Sequence, residues 1–332
     1  MKQIQYRVEI LIVGAGMTGL TVASDLQQAG HNVLVVEKGR GVGGRLASRR
    51  IGLATFDQGA QFMTARDPRF AAVIDQWLKL GVIEEWYRSA ADQFDGHPRW
   101  RGKPTMTAIT KYLARELTLL LEKRIVSLRR DSRGWVAELD SGEVIFANAV
   151  VLTAPVPQSL TLLDLEEIDL SETTKLRLES IEYECCLAVM AVLGKPSRIP
   201  PPGSLSPTKG PIALIVDNQM KGVSVTPAVT LHATPVFSLE HWAHDRQESG
   251  RELIQAAEVW LGSEVTEFQV HGWRYSKPVG GEQSKCLILN ESPLLLLAGD
   301  AFVGARVEGA VLSGWGAADV IKRNALNVNL IK

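Results

Sequence analysis

Cysteine is scarce in this chain, with three residues in 332, at positions 185, 186 and 286. Cys185 and Cys186 are adjacent, and neighbours neither form ordinary structural disulfides nor bind zinc as a pair, so buried strand thiols are expected. No apolar run approaches the roughly 20 residues that span a bilayer. Pro293-Leu294-Leu295-Leu296-Leu297-Ala298 has the length of a short buried strand. Excess charge is missing as well: 36 basic against 37 acidic side chains leave −1, which removes any bulk electrostatic case for nucleic acid or an anionic membrane. Gly-x-Ser-x-Gly, Cys-x-x-Cys and His-Glu-x-x-His are all absent, and with them the nucleophile elbow, the thiol redox pair and the zinc-protease helix. The N-terminus reads as strand rather than export signal, because Glu9 interrupts the apolar run and a glycine turn ends it early. A cytoplasmic or organelle-stromal setting is the expectation that follows.

What the chain does contain begins at Ile10-Leu11-Ile12-Val13-Gly14-Ala15-Gly16-Met17-Thr18-Gly19-Leu20, followed by the apolar run Val33-Leu34-Val35-Val36 and Glu37. A buried strand, a Gly-x-Gly-x-x-Gly turn, a helix, a second strand and a terminal acid together specify a dinucleotide site. Gly14 permits the tight turn, Gly16 lets the backbone approach a pyrophosphate, and Gly19 brings the helix close to the strand. Glu37 is suited to accept hydrogen bonds from a ribose diol. Next comes Gly39-Arg40-Gly41-Val42-Gly43-Gly44-Arg45. Each glycine costs about 1 kcal/mol against alanine in a helix, so this stretch suits a loop lying on a ligand, with Arg45 as a fixed positive charge at its end.

At 332 residues the chain is long enough for two domains. Residues 8 to 62 read as a nucleotide-binding unit. Phe70, Val73, Ile74, Trp77, Leu78 and Leu80 have helical spacing after Pro68, closed by Gly81, and a second helix is expected from Met106 to Leu121. The stretch from Ala90 to Pro104 reads as hairpin or loop. From Arg124 to Pro155 the pattern is one of consecutive strands: Ile125 to Leu128, Trp135 to Leu139, Val144 to Phe146 and Ala149 to Thr153. After Val156 the chain leaves that sheet. Strands at Leu187 to Leu193, Ile212 to Val216 and Val229 to Ala233 flank a proline-rich surface connection from Pro196 to Pro211, and a helix from about Ser249 to Leu261 follows.

Gly14 to Gly19, Glu37, Gly43-Gly44-Arg45 and Asp57-Gln58-Gly59-Ala60-Gln61-Phe62 together resemble the amine-oxidase-like FAD superfamily. Within it the chain is similar to the renalases and their bacterial relatives. The segments carrying this are Phe62 to Asp67, Arg99 to Pro104, Leu152 to Pro157, Leu231-His232-Ala233-Thr234 and Gly299 to Ala310. The resemblance implies an α/β fold: a Rossmann-like FAD-binding domain with a second α+β substrate domain. The FAD-binding domain would comprise residues 1–68, 104–156 and 284–332, and the substrate domain 69–103 and 157–283. It implies non-covalent FAD, held by Gly14, Ala15, Gly16, Thr18, Gly19, Glu37, Lys38, Gly44, Arg45, Gln61, Phe62, Val126, Asp300, Arg306, Val307 and Ala310. Val126 would meet the adenine through its backbone, and Asp300 the ribityl chain. The helix after Arg306 would aim its N-terminus at the flavin.

For the substrate side, a histidine in a strand is more commonly a hydrogen-bonded structural residue. His232 is still the first candidate, because the resembled bacterial proteins carry the same Leu-His-Ala-Thr. Trp273, Tyr275 and Trp100 are candidates for an aromatic wall, with core packing the equal alternative. Arg101 and Lys103 read equally as phosphate partners and as solvated loop charges. The implied activity is oxidation of the 2- and 6-dihydro isomers of NAD(P)H to NAD(P)+, with O2 as acceptor and H2O2 as product. A flavin amine oxidase, a desaturase-like enzyme on an apolar substrate and a non-catalytic flavoprotein are the competing readings.

Overall fold

The structure is a computed structural model that describes residues 5–88, 96–163, 168, 170–280 and 284–330, with side chains of the last helix described to Asn324. In chain order its elements are β1 (Gln5–Val13), α1 (Met17–Gln28), β2 (Val33–Val36), β3 (Ser48–Ile51), β4 (Ala54–Asp57), α2 (Pro68–Lys79), β5 (Ile83–Arg88) and β6 (Pro98–Gly102). Then come α3 (Thr107–Ala114), β7 (Thr118–Leu120), β8 (Ile125–Asp131), β9 (Gly134–Leu139), β10 (Val144–Leu152), α4 (Val156–Leu160) and α5 (Glu172–Glu179). The remainder is β11 (Glu182–Leu193), β12 (Ser204–Leu205), β13 (Ile212–Asp217), β14 (Ala228–Ala233), α6 (Pro235–Glu240), α7 (Arg246–Leu261), β15 (Val265–Val279), β16 (Leu287–Glu291), β17 (Leu294–Leu297), α8 (Asp300–Val303) and α9 (Val307–Leu330).

These elements form two compact units, one of Met1–Gly44, Thr110–Glu182 and Pro278–Lys332, the other of Arg45–Ile109 and Tyr183–Lys277. The first break falls after Gly44, where the sequence reading carries the nucleotide-binding segment on to residue 68. The physical reason lies in β4, whose terminal Asp57 is bonded to side chains of the second unit. Likewise 157–182 stays with the first unit, where Leu128 bridges to Leu163.

In the first unit β17, β10, β1, β2 and β7 run parallel and side by side. Strands covered on both faces need apolar residues at successive positions, which is why Ile10-Leu11-Ile12 and Val33 to Val36 show no alternation. One face packs under α1 and α9: Ile10, Ile12, Val35, Val151 and Leu296 meet Leu20, Ala23, Leu26, Ala317, Ala318 and Ile321. Gly314 lets α9 lie close to α1, since a Cβ there would stand 2.9 Å from the Thr18 carbonyl. The helix expected over 106–121 stops at Ala114, because Thr118–Leu120 pairs with Leu34 to Val36 as β7; sheet pairing overrides a weak helical preference. Val144–Leu152 is one strand rather than two, paired with β9 over its first half and with β17 over its last.

The second unit is built on an antiparallel sheet in the order β12-β13-β14-β11-β15. Leu187, Val189, Ala191, Val229 and Leu231 pack beneath Leu253, Ala257 and Leu261 of α7. That helix begins at Arg246, three residues before the expected start, because the Asp245 carboxylate caps the amides of Gln247 and Glu248. Hairpins β3–β4 and β5–β6 complete this unit. β6 supplies the strand inside the expected hairpin of 90–104, of which residues 89–95 lie outside the described residues.

Candidate functional site

The turn after β1 is shaped by two of its three glycines. Gly14 has φ +107°, and a Cβ on it would stand 2.8 Å from Thr153 Oγ1; a Cβ on Gly19 would stand 2.0 Å from the Gly14 carbonyl. Gly16 is different. No atom lies within 4 Å of where its Cβ would be, so packing does not demand glycine there. Gly16 is also the N-cap of α1, with no side-chain cap bond and no acidic residue in the first turn. The first amides and the positive end of the helix dipole are thus left for an anion. Ala15 and Thr18 of the same turn are buried.

Glu37 organises the loop that faces this turn. Its Oε2 accepts from the Ala15 amide at 2.8 Å and its Oε1 from the Gly39 amide at 2.7 Å. A carboxylate oxygen has a second lone pair, so each can still accept from a ribose hydroxyl. Gly44, at φ +54°, would bring a Cβ to 3.4 Å from Gly16. Lys38 donates to Gln158 Oε1 at 3.2 Å, and Val126 is exposed at an irregularity of the β8–β9 pairing. At the same carboxyl edge of the parallel sheet, Asp300 follows β17 and is buried, and the Gly299 amide donates to Ser313 Oγ at 2.8 Å. Arg306 is exposed, 3.9 Å from the buried Glu308 carboxylate, with Val307 and Ala310 in the first turn of α9.

The second unit holds Arg45, Gln61, Phe62, His232, Trp273 and Tyr275. It brings His232 and Trp273 to one atom: His232 Nε2 lies 3.2 Å, and Trp273 Nε1 donates at 3.0 Å, from the Gln58 carbonyl oxygen. Because that carbonyl can only accept, the histidine must carry its proton on Nε2. Burial pushes the His232 pKa down to about 4, so the ring is neutral near pH 7. Trp273 and Tyr275 share a face of β15 by the period of two, and Tyr275 meets Tyr183 edge-on with centroids 5.4 Å apart. Arg45 donates to the Ser276 carbonyl at 3.2 Å. Phe62 lies under the Arg99 guanidinium, 5.2 Å from the ring centroid.

Lys103 lies in a bend with its side chain 58% exposed, as a solvated loop charge would, whereas Arg101 is buried. Both bind the Glu84 carboxylate, Arg101 as a buried partner and Lys103 at 3.1 Å from the exposed side. Trp100 exchanges backbone bonds with Met63. Cys185 and Cys186 do lie in β11, but Cys286 sits in the bend before β16. Burial raises the Cys186 thiol to about 12 and the Cys286 thiol to about 11, which keeps both protonated.

Sequence reasoning missed the residue that holds the Asp57–Gln61 segment in place. Lys221 is fully buried, its ammonium 2.8 Å from Asp57 Oδ2 and 2.9 Å from Gln61 Oε1, with the Trp86 ring centroid at 5.0 Å. Burial pushes its pKa down while Asp57 pulls it up. Asp57 Oδ1 accepts from Ser48 Oγ and the Met106 amide, and Asn218 Oδ1 accepts from the Asp57 amide. A lysine in Asp217-Asn218-Gln219-Met220-Lys221-Gly222 looks like a solvated turn residue, and nothing local marks it as buried.

An open helix N-terminus on a parallel sheet, with a strand-end carboxylate beside it, is the make-up of a dinucleotide-dependent enzyme. A model of NAD(P)-binding Rossmann-like domains matches residues 12–77, and the model described as flavin containing amine oxidoreductase matches residues 84–322. The chain belongs to this flavin-containing amine oxidoreductase family and is an FAD-dependent oxidoreductase. Renalase of Mus musculus is similar to it at 23% identity over 95% of this chain and 98% of that protein. A putative flavin-containing monoamine oxidase of Mycobacterium tuberculosis is 36% identical, over 23% of this chain and 16% of its own length. Among solved structures, wild-type putrescine oxidase bound to putrescine aligns with a TM-score of 0.75 at 14% identity, covering 96% of this chain and 100% of that one, a likeness of fold. The residues present fit FAD: the space over Gly16 and the uncapped N-terminus of α1 suit a pyrophosphate, and Glu37 keeps free lone pairs. Among the described residues no helix is long and apolar enough to cross a membrane, and no group of three or more His, Cys, Asp or Glu could hold a metal ion.

Proposed function

We propose that the protein oxidises the 2- and 6-dihydro isomers of NAD(P)H to NAD(P)+, with O2 reduced to H2O2. The observation that carries this reading is the extent of the similarity to renalase, 95% of this chain and 98% of that protein, where the monoamine oxidase likeness stops at 23% of the chain. In the first unit FAD would be held non-covalently by the Gly14–Gly19 turn, Glu37, Lys38, Gly44, Val126, Asp300, Arg306, Val307 and Ala310. When bound, FAD supplies the hydride acceptor and the route of the electron pair to O2.

The substrate loses hydride, with both bonding electrons, from ring carbon 2 or 6 and becomes an aromatic pyridinium. The balance is dihydro isomer plus O2 plus one proton, giving NAD(P)+ plus H2O2. No proton leaves the substrate, so the chain's work is binding and alignment rather than base catalysis. His232 supports that division. A ring titrating near pH 4 is a weak proton acceptor, and its Nε2–H is committed to the Gln58 carbonyl. His232 and Trp273 then act as a brace behind the segment that follows β4, while Tyr275 supplies ring surface.

The second reading, oxidation of an amine, rests on the family model described as flavin containing amine oxidoreductase, which matches residues 84–322. Anaerobic mixing separates the two. Rapid bleaching of the flavin by a mixture of 2- and 6-dihydro-NAD, with slow or no bleaching by diamines and aromatic monoamines, is the expected result. Bleaching by an amine alone overturns the proposal.

A further inference from the structure

Gln58 differs from its polar neighbours in the segment after β4. Asp57 accepts from Ser48, Met106 and Lys221. Gln61 accepts from Lys221 through Oε1 and donates through Nε2 to the carbonyls of Asp57 and Gly59. Gln58 is 5% exposed, yet its Oε1 meets no donor among the described residues. Its main-chain carbonyl, by contrast, is held by both His232 and Trp273. The backbone is therefore pinned on both sides of a side chain that the scaffold does not use.

A buried acceptor without a donor weakens a fold, and an apolar side chain of similar volume in its place would not. Glutamine here costs stability in the unliganded protein and needs a compensation from outside it. We infer that Gln58 is a ligand-binding residue whose Oε1 accepts a hydrogen bond from an amide-type N–H of a bound ligand. Two sources carry that donor: the carboxamide of a nicotinamide and the imide of the flavin ring. The first rests on the dihydronicotinamide reading above, and the second rests only on the FAD of the family.

The test uses the full chain carrying Gln58→Leu, with Gln58→Met as a second variant should the first not fold. Three quantities are read without turnover: the melting temperature of the FAD-free protein, FAD affinity by fluorescence titration, and binding of NAD+ against its 3-acetylpyridine analogue by perturbation of the flavin spectrum. The analogue lacks the carboxamide N–H. The melting temperature should stay level or rise. A nicotinamide source is supported if wild type prefers NAD+ about 10-fold, roughly one hydrogen bond, and the variant prefers neither. A flavin source is supported by about 10-fold weaker FAD binding in the variant. A folded variant with both FAD affinity and the NAD+ to analogue ratio unchanged overturns the inference, as does a lowered melting temperature with no change in either. If wild type binds neither pyridine dinucleotide, the dihydronicotinamide reading falls, and the FAD titration alone decides the role of Gln58.

Discussion

The turn after β1 is made of backbone, whereas the segment after β4 is held by buried side chains. At the first, Gly19 of α1 meets the Gly14 carbonyl and Thr153, Gly14 and Thr153 directly follow two parallel strands, and an open space is left over Gly16. At the second, Asp57, Gln61 and Lys221 form a polar cluster with full burial at the ion pair. A backbone turn can be specified by spacing within a dozen residues. A side-chain cluster draws its members from anywhere in the chain, here 164 positions apart. The two regions should therefore fail differently when altered, one through its ligand and the other through its fold.

The largest effect should follow Lys221→Met, which leaves the Asp57 carboxylate buried without its cation. Breaking a buried pair from one side costs about 3–5 kcal/mol, read as a lower urea midpoint. Adding Asp57→Asn should return part of that loss, because no charge then remains unpaired. A single variant as stable as wild type would remove Lys221 from the core of this account.

Next is the pH dependence set by His232. Its folded pKa is depressed from 6.5 to about 4, so between those values the unfolded chain binds the proton that the folded ring refuses. The stabilisation is present above pH 6.5 and is lost as the pH falls toward 4, worth about 3 kcal/mol over the whole window. In His232→Gln that part of the slope should vanish, while the carboxylate titrations common to both proteins remain. Equal slopes in parallel denaturant titrations would show that His232 is not held neutral.

Smaller still, and most direct for the comparison, are two alanine substitutions in one turn. Gly19→Ala forces its Cβ against the Gly14 carbonyl and should cost about 1–3 kcal/mol of stability. Gly16→Ala meets no protein atom and should lower the FAD-free stability by no more than about 1 kcal/mol, the difference between glycine and alanine at an N-cap. Its FAD affinity should nevertheless fall about 10-fold, since the methyl enters the space assigned to the pyrophosphate. Equal loss of stability in both variants, with FAD binding retained in Gly16→Ala, would erase the distinction drawn between the glycines.

The same contrast explains what could be read from the sequence. Gly14, Gly19, Glu37 and the apolar runs of β1, β2 and β17 are local signals, and each lies in the element expected of it. Thr118–Leu120 was legible only as an extension of a helix, because its strand pairing depends on Leu34 to Val36, more than 80 residues away. Trp273 and Tyr275 were legible as aromatics but not as neighbours on one face of β15, whose residues are mostly half-buried and show little alternation. Arg101 read equally as a phosphate partner and a solvated loop charge, because its partner Glu84 belongs to the opposite strand of a hairpin. Lys221 carried no signal at all. Its burial depends on Asp57, Gln61 and Trp86 arriving from elsewhere in the chain.

The central claim is that the substrate yields hydride without first losing a proton. Stopped-flow bleaching of the flavin by 2- or 6-dihydro-NAD under anaerobic conditions, from about pH 4 to 9, tests it most directly, since this window takes in both the unperturbed histidine pKa and the value of about 4 to which burial pushes His232. The account predicts a rate nearly level with pH in wild type and a lower but equally level rate in His232→Gln, because that side chain braces the Gln58 carbonyl and moves no proton. A steep rise with pH in wild type that disappears in His232→Gln would contradict it and make His232 a general base.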